Sequence, residues 1–183
     1  MEEQAPLNQA ADPRQIFDHA CRFLASDQLL RRTGKPGSGW ELTVAPPAMV
    51  LSAFAAELFL KCLLIMESGA APPMHRLDNL FKRVSHKRQR RIQELWEADG
   101  RPKLEPLCRS LKLPSDLSNA LVKCGSAFEK LRYYYEDPTK VVYYIGDFAW
   151  ILMRVIVEIE PEWRPPEPPP LPLNESALQA PAR

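Results

Sequence analysis

The chain has 183 residues, with 24 Lys+Arg set against 23 Asp+Glu and a formal charge of +1. That length suits one packed domain, and the balanced charge excludes a global field that recruits nucleic acid or an acidic surface; any electrostatic partner site must be local. Four widely spaced cysteines (Cys21, Cys62, Cys108 and Cys124) form no C-x-x-C pair, and the three histidines are scattered, which argues against a zinc site, a disulfide framework and metal catalysis; no cofactor is expected.

Taken in chain order, "MEEQAPLNQAADP" has neither a basic nor an apolar signal region, so the reading expects a cytoplasmic protein with a flexible start over residues 1–11. Asp12-Pro13 pairs a capping Asp with a Pro at the first helical position and predicts a helix from Pro13 to about Arg31, with Ile16, Ala20, Phe23 and Leu24 inward. "TGKPGSGWELTVA" reads as a loop. It lacks the Gly-Lys-Ser/Thr ending of a phosphate-binding loop, and no strong strand precedes it. Pro46-Pro47 opens a second, very apolar helix that ends near Gly69. Short helices follow over 75–84 and from a Ser85 cap to about Ala98; then Gly100, Pro102, Pro106 and Pro114 leave room for about one or two turns.

From Ser115, the residues Leu117, Leu121, Cys124, Phe128, Leu131 and Tyr135 recur at alternating fours and threes, the pattern of an amphipathic helix. A last helix runs from Pro138 to about Ile159. Beyond Glu160, "PEWRPPEPPPLPLNESALQAPAR" cannot form a core and reads as a disordered tail over 161–183. The expected fold is an all-α compact bundle of five or six helices over residues 12–160.

Residues 48–66 and 141–159 are apolar enough to raise a membrane span. Glu57 and Lys61 in the first run, and Asp147, Arg154 and Glu158 in the second, make buried core helices the better reading, since such a charge costs about 2.5–3.5 kcal/mol at a bilayer centre. At about 100° per residue, Glu57 and Lys61 share one narrow stripe, as do Lys140, Asp147, Arg154 and Glu158. Two accounts stay open: each stripe is the solvent side of a mostly buried helix, or some of these charges meet inside the bundle.

"KRVSHKRQRR" (82–91) carries a dense set of cations, of which Arg83, Lys87, Arg90 and Arg91 are candidates to hold phosphates. The same residues also fit a solvated helix face. His86 lies within that run as a solvated residue. His75 sits at a helix start, where it either orients the loop or serves a site. Tyr133-Tyr134-Tyr135 offers rings for stacking on bases or for packing at an interface.

"PPAMVLSAFAAELFLKCLLIMESG", then "HRLDNLF", then "FEKLRYYYE" together resemble the HEPN superfamily of small helical-bundle proteins, over roughly residues 13–160. The resemblance implies an all-α fold, homodimerisation, association with RNA or nucleotides, and a toxin–antitoxin or phage-defence setting with an antitoxin-type protein partner. The ribonuclease branch of that family is metal-independent and carries an Arg, then four to six residues, then a His, on a late helix. Arg132 is most like that Arg, and no His follows it. A literal match, Arg14 to His19, falls on the first helix, where chance accounts for it. The expectation is a non-catalytic binding module. The alternatives are a ribonuclease using Arg132 with an atypical partner among Glu57, His75 and Glu136, and a scaffold that binds only protein. Arg132 is also the expected partner of Glu57.

Overall fold

The computed structural model describes residues 11–33, 40–110, 112–125 and 147–165. Among these the chain is all-α, with helices α1 (Pro13–Thr33), α2 (Trp40–Ser68), α3 (Leu77–Arg83), α4 (His86–Leu95), α5 (Arg101–Ser110), α6 (Leu117–Cys124) and α7 (Phe148–Ile159). A π turn, Trp96–Gly100, joins α4 to α5, and a 3₁₀ turn, Pro161–Trp163, follows α7. The expected segments Lys140 and Phe128–Glu136, with Arg132 and the three tyrosines, lie outside the described residues.

The bundle is organised around α2, which packs along α1 and against α7 and α3. Phe17, Phe59, Leu60, Leu63, Leu80, Trp96, Phe148 and Leu152 are fully buried at its centre. Each such side chain contributes about 1.5–3 kcal/mol on leaving water. Phe17 and Phe59 lie 5.7 Å apart across the α1–α2 contact, and Phe148 reaches both Phe81 and Trp96 at 6.4 Å. By length and composition Thr43–Ser68 would also suffice to cross a bilayer, but in this fold half of that segment is buried by neighbouring helices.

Two proline expectations are corrected. Pro46 and Pro47 do not open α2; they lie inside it, after a start at Trp40. They remove two ladder hydrogen bonds, and the burial of Val44 and Ala48 on either side offsets that loss. Likewise Pro102 and Pro106 do not reduce 99–114 to one or two turns, since α5 runs for 10 residues with Pro106 inside. For Pro102 the π turn immediately before α5 supplies the reason: the Arg101 N–H bonds to the Trp96 carbonyl, five residues back. That widened turn relieves the ring clash a proline makes with the preceding turn.

Gly100 is needed in that turn for space. A Cβ there would stand 2.6 Å from Cε3 of Trp96 and 3.0 Å from Cδ1 of Ile151. The C-terminal boundary also shifts, because Trp163 packs on Phe17 at 5.6 Å and under the Arg14 guanidinium at 5.5 Å. The packed part of the chain therefore includes Pro161–Trp163.

Candidate functional site

Glu57 answers which account holds for the charged stripe of α2. It is 1% exposed, so the stripe meets a neighbour inside the fold. Lys61 Nζ, one turn on, donates to Glu57 Oε1 at 2.8 Å. His75 Nδ1, from the connection ahead of α3, reaches the same oxygen at 2.9 Å. The Lys61 side chain is 19% and that of His75 56% exposed, so both carry charge or polarity from the buried carboxylate outward. Glu57 Oε2 has no hydrogen-bond partner among the described residues. An orphan of this kind costs free energy, which offsets part of what the two hydrogen bonds to Oε1 contribute.

The segment bearing His75 is held by a second carboxylate. Asp78, 6% exposed, accepts from Arg76 Nε and Nη2 at 3.1 and 3.2 Å. Leu77 N–H donates to the Gly125 carbonyl at 3.2 Å, which ties the start of α3 to the end of α6. A Cβ on Gly125 would fall 2.4 Å from Asp78 Oδ1, so the close approach requires a residue without a side chain there. The sequence "HRLD" thus places one side chain on Glu57 and folds the next three residues onto α3 and α6.

With Nδ1 directed at a carboxylate, a neutral His75 places its N–H at Nδ1 and leaves Nε2 as the basic nitrogen. Nε2 has no partner among the described residues. The expected companions of His75, Arg132 and Glu136, and with them the anticipated Glu57–Arg132 pair, lie outside the described residues.

The other candidates fall on α3 and α4. A shallow groove is lined there by Arg83, Lys87, Arg88, Arg90 and Arg91 together with Glu67, Glu94 and Glu158. Two of its cations are tied down. Arg91 forks onto Glu158 at 2.8 Å to each oxygen and also reaches Glu94 at 3.1 Å. Its hydrogen bonds hold the Glu158 carboxyl below the usual carboxylate range. Arg88 pairs with Glu67 at 3.1 Å and donates to the Leu63 carbonyl at 3.0 Å. Arg83, Lys87 and Arg90 are exposed and take no carboxylate partner among the described residues. Of the four expected phosphate ligands, three are therefore available and Arg91 is engaged. The sequence could not show this, because Glu158 stands 67 residues away from Arg91.

The α7 stripe differs from the α2 stripe: its described charges pair at the solvent-facing rim of the fold. Asp147 pairs with Lys103 at 2.6 Å, Arg154 with Asp99, and Glu158 with Arg91. His19 is exposed and edges onto Phe23, while Arg14 pairs with Asp18, so Arg14 and His19 do not form a joint site. His86 is exposed, as expected.

Burial raises the Cys21 and Cys62 thiols to about 12, which makes both inert as nucleophiles. No group of metal-ligating side chains occurs among the described residues. Comparison of the chain with protein-family models, curated proteins and solved structures finds no match.

Proposed function

We propose that this chain is a HEPN-like, non-catalytic binding module that holds RNA or nucleotides on the α3–α4 edge. The observation that carries this reading is the inequality in the groove. Arg88 and Arg91 are neutralised by acidic neighbours, while Arg83, Lys87 and Arg90 remain as exposed cations with no carboxylate among the described residues. Three such contacts to single-stranded RNA give a slope of about −2 in log affinity against log salt. Binding is then weak and set by the backbone phosphates. The resemblance to the HEPN superfamily adds homodimerisation, an antitoxin-type protein partner and a cytoplasmic toxin–antitoxin or defence setting to the proposal.

The test is RNA binding by the purified chain across a salt series, in chelator. Charge reversal at Arg83, Lys87 and Arg90 together should remove most of the affinity and flatten the slope. Unchanged binding in that variant overturns the assignment of this edge. Absence of any binding at low salt favours a scaffold that binds only protein. Sedimentation of the same sample tests the homodimer.

A second reading rests on the Glu57–His75 contact at 2.9 Å. Under it the chain is a metal-independent ribonuclease, with His75 Nε2 in proton transfer and Arg132 at the phosphate. RNA cleavage in chelator that is lost in both His75→Ala and Arg132→Ala would establish it over the non-catalytic reading.

A further inference from the structure

A second cavity, of about 320 Å³, opens between the end of α1, the π turn, α5 and the start of α7. That volume lies at the lower end of small-molecule sites. Its apolar lining comes from Trp96, Leu104, Leu107 and Trp150. Leu107 is 51% exposed, so this wall is open to a ligand. Asp27 lines the cavity although it is 3% exposed overall. Arg31 Nε donates to its Oδ1 at 2.8 Å, and Oδ2 takes no hydrogen bond among the described residues. Gln28, on the same turn, adds an amide.

The charges around the cavity decide the ligand class. Arg31 balances Asp27, and Lys103 balances Asp147 at 2.6 Å. The charges of the described lining residues therefore sum to zero and favour neither a free cation nor a free anion. It offers a flat apolar wall, a carboxylate oxygen that can only accept, and an amide that can donate. A neutral planar ring fits if adjacent N–H donors point at Asp27 and a carbonyl accepts from Gln28. Among nucleobases, guanine presents that edge: N1–H and N2–H donate beside O6. Adenine places an acceptor where guanine has N1–H.

We propose that this cavity is a guanine-binding pocket, with Asp27 and Gln28 reading the base edge and Trp150 and Leu107 covering its face. The site is separate from the α3–α4 edge and does not depend on it. Calorimetric titration with guanosine and adenosine tests it. Guanosine should bind at least about tenfold more tightly than adenosine, and Asp27→Asn should abolish that preference, as expected for loss of charged hydrogen bonds. Leu107→Arg, at an exposed position, should weaken guanosine binding without altering the helical signal.

A pyrimidine oligonucleotide containing one guanine distinguishes a free nucleoside from an unpaired base in a strand, according to which arm depends on Asp27. Charge reversal at Arg83, Lys87 and Arg90 should leave guanosine binding unchanged, so failure of either site is seen separately. Equal affinity for the two nucleosides, no heat with guanosine, or full guanosine binding by Asp27→Asn overturns the proposal.

Discussion

His75 and Glu57 stand 18 residues apart in the chain and 2.9 Å apart in the fold, where the histidine and Lys61 share one oxygen of a buried carboxylate. The two ends of this arrangement are unequal in their access to water. Removing Glu57 leaves Lys61 and His75, both of which can turn toward solvent. Removing Lys61 leaves an anion that is 1% exposed with His75 as its one donor among the described residues. Lys61→Met should therefore destabilise more than Glu57→Gln, the former by about 2–4 kcal/mol and the latter by about 1–2. Chemical denaturation of the two variants checks the order; equal midpoints would show that Glu57 is hydrated in solution.

Releasing Arg91 should strengthen RNA binding. The Arg91–Glu158 fork and the Arg91–Glu94 pair neutralise a cation on the α3–α4 edge, so Glu158→Gln combined with Glu94→Gln frees one further phosphate contact. The salt slope should steepen by about 0.7 for single-stranded RNA. An unchanged slope would place Arg91 outside the RNA path.

Two aspartates should show opposite pH behaviour. Asp27 has its carboxyl raised by burial, against the opposing charge and hydrogen bond of Arg31. The folded state then holds this proton more tightly than the unfolded chain, so ionised Asp27 detracts from stability above its folded pKa. The detriment disappears as pH falls through that raised value. Asp27→Asn should keep or raise the melting temperature at neutral pH, with the difference closing in acid.

Asp116 is the reverse. It caps α6, and hydrogen bonds from the Asn119 side chain and backbone hold its carboxyl below the ordinary 3.8. Its contribution is complete above 3.8 and is lost as pH falls through the lowered folded value. Asp116→Ala should cost about 1 kcal/mol at neutral pH. Melting curves from pH 7 down to strong acid test both signs.

Truncation should separate the two parts of the C-terminal segment. Ending the chain after Glu160 removes the Trp163 contact with Phe17 and Arg14 and should lower stability by about 1–3 kcal/mol, the worth of a partly buried aromatic side chain. Ending it after Pro165 keeps that contact and should leave the unfolding transition nearly unchanged. Equal losses in the two variants would mean that residues beyond 165 also support the fold.

Helix periodicity and capping made the all-α class legible, because α1 and α6 obey local rules: an Asp cap, then apolar residues on one face. The prolines misled because their local penalty is fixed while the compensation is tertiary: buried Val44 and Ala48 for Pro46 and Pro47, and a π turn for Pro102. Glu57 could be singled out from the sequence because a carboxylate in so apolar a helix demands a partner. Lys61, on the same stripe, is one such partner; the contact from His75 could not be read, since it arrives through a loop that has no periodicity. The engagement of Arg91 could be read only in part for a related reason: Glu94 stands three residues on, but the stronger fork is to Glu158 on α7, 67 residues away. Asp27 gave no signal at all, because an i, i+4 Asp–Arg pair at a helix end looks the same whether exposed or buried.

The seat of Trp163 on Phe17, under Arg14, has a topological consequence. The beginning of α1 and the turn after α7 are brought to one corner, so the residues near Asp12 and near Pro165 lie close together. A flexible linker joining residue 165 to residue 12 would bridge a short gap and leave every helix pair in place. The order in which the helices are synthesised is therefore separable from the arrangement they reach. A circularly permuted chain opened elsewhere should rebuild the same bundle, with Trp163 and Phe17 serving as the clasp.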